Sequence, residues 1–344
     1  MTETFVTFSL VAIWSAMAMY ALAFIAFTFD LARRATPTPV EATVANARVT
    51  SAVGATSRGT AVLDREDDAS RVIPSDPAPA TPASGPTSGK APTSGTAPTS
   101  RWARIGMSIT VLAWILHAGG TIFRGVAAGR VPWANMFEFA LTATVIIVGV
   151  FLLVQFWQDI KFLGAYVTGF ALLFLGIATV NFYVDVVPLP PALQSWWLII
   201  HVFVASLGTG FFALGAGLSI VQLFQASGQT KRRRLLSTLP SATSLENTAY
   251  RLVVIGFVFW TFTLIAGAIW AESAWGRYWG WDTKEVWTFI IWVIFAGYIH
   301  ARATRGWRGS RSAWLAIIGF AAVIFNFTIV NLFFKGLHAY SGLM

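Results

Sequence analysis

Cysteine is absent from this chain. It therefore forms no disulfide, offers no thiolate to a metal and performs no thiol chemistry of its own; any sulfur in its reaction belongs to a partner. Charge is also scarce, at 11% of 344 residues, and acidic residues are the rarer sign, 15 against 24 Lys and Arg. Histidine occurs only four times, and no internal repeat is present. What fills the space is apolar: 56% of residues, with a mean hydropathy of +0.65. A soluble domain of this size is not so apolar, so the chain reads as an all-α polytopic membrane protein.

Apolar runs over 5–29, 104–123, 133–157, 162–182, 195–224, 250–271, 286–303 and 313–333 each suffice to cover a hydrocarbon core of ~30 Å. Eight crossings put both termini on one side. The net charge of +9 would suggest nucleic acid in a soluble chain, but here its placement follows topology. Nineteen basic residues, among them Arg33, Arg34, Lys231 to Arg234 and the Arg302–Arg311 group, fall on one side. Only Arg124, Arg130, Arg277, Lys284 and Lys335 fall on the other. The rich side is expected to be cytoplasmic, with both termini extracytoplasmic in a cell membrane and no nucleic-acid partner. Residues 1–34 read as a retained anchor, since no small-residue cleavage pattern follows the first span. Residues 35–101, rich in Pro, Ala, Thr, Ser and Gly, lack the apolar surface to fold and read as a disordered cytoplasmic linker.

The densest signal lies between the sixth and seventh spans, in Ala274 to Trp287. Of 16 Trp, six fall between Trp270 and Trp292. Trp275, Tyr278, Trp279 and Trp281, interleaved with Gly276 and Gly280, exceed what an interfacial belt needs. They suit a flat apolar platform that a planar ligand approaches closely. Asp282 and Glu285 have the spacing of a helix-capping box before the seventh span.

The topology separates the histidines. His201 and His338 flank this loop on the same face, and an imidazole on each side of a planar macrocycle is how a protein holds six-coordinate haem iron. His300 lies about 21 Å down the seventh helix, in the inner half of the membrane. A haem ligand or an inter-helix hydrogen bond would each explain it. His117, beside Gly119 and Gly120, fits close helix packing equally well. Arg277 and Lys284 suit haem propionates or plain loop charge. Arg124, Asn135 and Glu138 form another polar cluster at the membrane edge, where a carboxylate needs a partner.

Together these segments resemble the haem-handling cytochrome c biogenesis proteins of the system II pathway, the CcsA/ResC family. Trp275-Gly-Arg-Tyr-Trp-Gly-Trp-Asp-Thr-Lys-Glu-Val-Trp287, ending in Tyr298-Ile-His300, is similar to the family's WWD signature and its transmembrane histidine. Trp196 to His201 and Gly336 to Gly342 resemble its two external histidine segments, and Gly129 to Glu138 its Gly-x-x-Pro-x-x-Asn-x-Tyr-Glu segment. Thr283, Phe137 and Ala339 depart from the usual Pro, Tyr and Ser, and none of these removes a ligand. The resemblance covers residues 102–344. It implies b-type haem, non-covalently bound in transit, with His201 and His338 as outer axial ligands and His300 as a transmembrane ligand. Trp275, Tyr278, Trp279, Trp281, Asp282 and Trp287 would form the haem platform. It further implies a Ccs1/ResB-type membrane partner and an apocytochrome c, whose Cys-x-x-Cys-His thiols take the haem within a cytochrome c synthase complex. A di-haem b-type electron-transfer subunit is the competing reading; it requires histidine pairs on facing helices at two depths.

Overall fold

The computed structural model describes residues 2–35, 100–227, 233–304, 306–334 and 336–338. Most of the linker (36–99), Lys231, Arg305, Lys335 and the tail 339–344 lie outside them. Every regular element among the described residues is helical, and eight helices are long and apolar enough to cross a membrane. They are α1 (Thr2–Ala35), α2 (Arg101–Ala128), α3 (Met136–Val154), α4 (Gly164–Asn181), α5 (Trp196–Ala226), α6 (Ala242–Trp275), α7 (Thr283–Ala303) and α8 (Ser310–Phe327). A short helix, Ile329–Phe333, continues α8 beyond a break at Thr328. The chain is thus the all-α polytopic membrane protein that its apolar runs imply.

The helix ends follow local chemistry. Ser100, Asn135, Ser195 and Ser241 precede α2, α3, α5 and α6, and each side-chain oxygen accepts from a backbone N–H of the first turn. Such caps satisfy donors that the helix itself leaves open. At the opposite ends α2 and α6 stop at Gly129 and Gly276, both left-handed (φ 62° and 70°), the conformation glycine adopts without a Cβ penalty. The expected capping box is present: Asp282 caps α7, while Glu285 Oε2 accepts from the Asp282 N–H at 3.0 Å. The same oxygen accepts from Gly280 N–H at 2.8 Å, which ties the tryptophan-rich loop to the helix start.

The N-terminal helix is built into the bundle. Together with residues from 99 onward, α1 forms one compact unit. It runs antiparallel to α2, with Ser9 Oγ donating to the Gly120 carbonyl (2.7 Å) and the Phe27 ring only 3.0 Å from where a Cβ on Gly106 would stand. In lipid, such close packing replaces the hydrophobic effect as the force between helices. His117 belongs to this contact: it is fully buried, with Nδ1 3.4 Å from the Tyr20 hydroxyl. A second core joins α5, α6, α7 and α8, where Phe212 and Phe295 stack at 3.6 Å.

Glu138 finds the partners that its position demands. It is fully buried, and its carboxylate accepts from Arg124 Nε (3.0 Å), Arg130 Nη1 (2.8 Å) and the Ala134 N–H (2.9 Å). Arg124 also donates to the Val184 carbonyl and Arg130 to that of Val187, at 2.6 and 3.1 Å. Asn135 Oδ1 accepts the Glu138 N–H as the α3 cap. These residues staple the α4–α5 connection to the ends of α2 and α3. Removing one member of such a buried pair costs about 3–5 kcal/mol.

Candidate functional site

Three helices and the C-terminal segment bring two imidazoles to one place. His201 lies in the second turn of α5, and its Nδ1 is 3.0 Å from the carbonyl oxygen of Thr263 on α6. A carbonyl only accepts, so Nδ1 carries the proton and Nε2 keeps its lone pair. Gly267 makes the contact fit: a Cβ there would stand 2.7 Å from His201 Cε1. His338 Nδ1 is 2.8 Å from Asp282 Oδ2, while Asp282 Oδ1 accepts from the Leu337 N–H at 3.1 Å. Gly336 lets this segment come close, because a Cβ there would collide with Asp282 Oδ1. The hydrogen bond from His338 is the main reason that the Asp282 carboxyl is held below the usual carboxylate range. A carboxylate only accepts, so His338 donates from Nδ1 and its Nε2 is left free.

Aromatic rings pack against the two. Trp270 stacks on His201 (centroids 5.9 Å apart, planes at 20°) and meets His338 edge-on at 5.4 Å. Trp275 packs on His338 at 4.8 Å. The Trp270 indole is fixed by its N–H, which donates to the Ala192 carbonyl at 2.9 Å. Tyr278 and Trp279 border a small cavity of about 70 Å³ beside both histidines. Trp281 is 77% exposed and, alone among the described non-glycine residues, has a positive φ, of 56°. Such a conformation costs about 1–3 kcal/mol and holds the indole out from the bundle. Trp287 is placed differently from the rest: it packs on Phe325 of α8 at 4.4 Å and borders neither histidine cavity.

A larger cavity of about 170 Å³ runs from the two histidines into the bundle among α3 to α8. Lys284, Asn331, Thr288 and Asn326 line one side of it, and Lys284 Nζ donates to Asn331 Oδ1. Arg277 is exposed in the loop, with its guanidinium over Gly280. Arg124, Asn135 and Glu138 do not border this cavity; their geometry is that of the buried staple. His300 is exposed on α7, the least buried of the eight helices, whereas Tyr298 faces the core. It lies sixteen residues beyond Lys284, about 24 Å along the helix axis. His117 and His300 form no facing pair, since one is sealed against Tyr20 and the other lies on the bundle surface.

Sequence reasoning missed Trp270, the Thr263 carbonyl, Gly267, Asn326 and Asn331. Trp270 carried a signal as the first of the six clustered tryptophans, and Gly267 one as a glycine within an apolar helix, a position where something approaches closely. Among the described residues no three His, Asp or Glu could hold a bare metal ion. Two imidazoles with open Nε2 atoms, set among indoles, suit instead an iron that brings its own planar equatorial ligand.

Residues 133–338 match the model of the cytochrome C assembly protein family. The chain is 34% identical over 259 residues to "Cytochrome c biogenesis protein CcsA" of Guillardia theta, covering 70% of this chain and 86% of that one. It is 36% identical over 252 residues to the protein of the same name from Trieres chinensis (64% and 81% covered). To that from Synechocystis sp. (strain ATCC 27184 / PCC 6803 / Kazusa) it is 32% identical over 273 residues (63% and 82%). The matched region contains the histidine pair, the tryptophan-rich loop and Glu138 of the buried staple, and the chain belongs to the cytochrome c assembly protein family.

Proposed function

We propose that this protein serves c-type cytochrome biogenesis by holding haem between His201 and His338 and presenting it for covalent attachment. The observation that carries the reading is the matched treatment of the two imidazoles. Each has its Nδ1–H committed to an acceptor, the Thr263 carbonyl or the Asp282 carboxylate, which leaves Nε2 free, and both residues border the same cavity. Iron-ligating histidines are oriented in this way, and the second bond raises their basicity. Trp270, Trp275, Tyr278 and Trp279 supply apolar walls for a porphyrin, and exposed Trp281 faces an incoming partner.

The haem is b-type and non-covalently bound while in transit. Since the chain has no cysteine, both sulfurs come from the Cys-x-x-Cys-His motif of the apocytochrome. Each thiol adds across one vinyl group: a C–S bond forms, the proton ends on the neighbouring carbon, and no electrons are lost. This chain's part is to hold the ring in place and keep the iron ligated on both faces. The charge asymmetry supports an orientation with the loop and both termini on the extracytoplasmic side of the cell membrane. A Ccs1/ResB-type subunit delivers the apocytochrome. Exposed His300 ligates a second, intramembrane haem whose other ligand comes from that subunit, so haem reaches the outer site through the membrane.

The test is cytochrome c maturation in cells carrying His201→Ala or His338→Ala. Maturation should cease in each, and added imidazole, which fits the vacated iron position, should restore part of it. Normal maturation in both variants would refute the reading.

A further inference from the structure

The cavity beneath the histidines has two unlike sides. One is apolar, built from Phe139, Phe170, Phe174 and Val202. The other is a polar wall made by α7 and the end of α8. Lys284 is the sole Lys or Arg on the cavity among the described residues, and no Asp or Glu borders it. Its ammonium is bonded to a neutral amide, Asn331 Oδ1. Asp282, which also acts on it electrostatically, is already engaged by His338, the Leu337 N–H and the α7 cap. A partly buried ammonium held only by an amide leaves an anion position open beside it.

One turn further into the bundle, Thr288 Oγ1 donates its proton to the Lys284 carbonyl at 2.8 Å. It must therefore accept from Asn326, whose Nδ2 lies 3.2 Å away. That fixes the amide orientation: Asn326 Oδ1 points away from Thr288. Asn326 is 5% exposed, borders the cavity, and its Oδ1 has no partner among the described residues. Unsatisfied buried acceptors are rare and costly, so this one calls for a ligand that donates.

We propose that this wall recognises the propionate edge of haem, so that haem is seated with its carboxyl groups turned into the bundle and its vinyl edge turned out. Lys284 takes one ionised propionate. Asn326 Oδ1 accepts from the second, which stays protonated because the cavity holds no further cation to stabilise its charge. The vinyl groups then lie on the side of the loop 276–282, where apocytochrome thiols arrive. The proposal rests on the haem reading above and adds which edge enters first.

The experiment titrates haem and haem dimethyl ester, which lacks both carboxyl groups, into full-length haem-depleted protein in detergent and follows the Soret band. Wild type should bind haem about 10- to 100-fold more tightly than the ester, the worth of one charge-assisted hydrogen bond. Lys284→Met should remove most of that difference by weakening haem alone. Lys284→Arg, which keeps the charge, should retain most of it. Asn326→Leu should weaken haem and leave the ester unchanged. Equal binding of haem and ester by wild type, or equal loss of both in Lys284→Met, would overturn the proposal. His201→Ala separates the two levels: it should weaken both ligands alike. If His201→Ala leaves the spectrum of bound haem unaltered, the histidine reading itself fails. If only the ester comparison goes the wrong way, the propionate wall alone falls.

Discussion

The imidazole of His338 is joined to the carboxylate of Asp282, Nδ1 to Oδ2 at 2.8 Å. Asp282 is at the same time the N-cap of α7 and the acceptor for the Leu337 N–H. One side chain therefore ends the tryptophan-rich loop, starts a helix and fixes the C-terminal histidine.

Asp282→Ala should disturb all three, whereas Asp282→Asn keeps a cap and an acceptor. Loss of the cap alone costs about 0.5–2 kcal/mol. The Ala variant should lose haem and show a high-spin fraction by absorption spectroscopy, with Asn intermediate. An Ala variant with wild-type haem content and spin state would show that this contact does not orient the ligand.

Gly267→Ala should displace His201, since the new Cβ would stand 2.7 Å from its Cε1. Gly119→Ala is the matched control, because nothing lies within 4 Å of a Cβ at that position. Both changes raise helix propensity by about 1 kcal/mol. The protein should insert normally in both cases and lose haem only in Gly267→Ala. Equal haem content in the two variants would remove the notch from the account.

Glu138→Gln should leave Arg124 and Arg130 without their carboxylate and destabilise the fold by about 3–5 kcal/mol. Thermal unfolding in detergent should report the loss, while haem bound per folded molecule stays constant. Haem loss at unchanged melting temperature would instead place this cluster at the haem.

His300→Gln changes an exposed side chain and should alter stability by no more than about 0.5 kcal/mol, as for most surface substitutions. An amide ligates ferrous iron poorly, so haem recovered with the partner subunit should fall. Full haem loading in that complex would return His300 to a structural role.

The eight helices were legible in the sequence because lipid demands unbroken apolar runs, and each run becomes a helix. Their ends were less so. The run expected over 250–271 is α6, Ala242–Trp275, because Ser241 caps a polar first turn that hydropathy does not count. The run over 313–333 starts at Ser310 and breaks at Thr328. The Asp282–Glu285 capping box could be read because it is local. That Glu138 needed a partner was legible from its depth; that Arg124 and Arg130 answer it follows from how α2 meets α3. Trp287 adjoins the loop in sequence, yet α7 already begins at Thr283, and helical rotation turns the indole to Phe325. Trp270, Thr263 and Asn326 were hidden for the same reason. Each meets the site through packing between helices far apart in sequence, and no spacing along the chain encodes that.

The central claim is that His201 and His338 together hold haem iron, and the spin state of bound haem tests it most directly. Full-length protein, purified with its haem, should give the low-spin spectrum of a six-coordinate iron with two imidazole ligands. His201→Ala and His338→Ala should each shift it to the high-spin, five-coordinate form, and imidazole should return both to low spin. A low-spin spectrum unaltered in both variants would contradict the account.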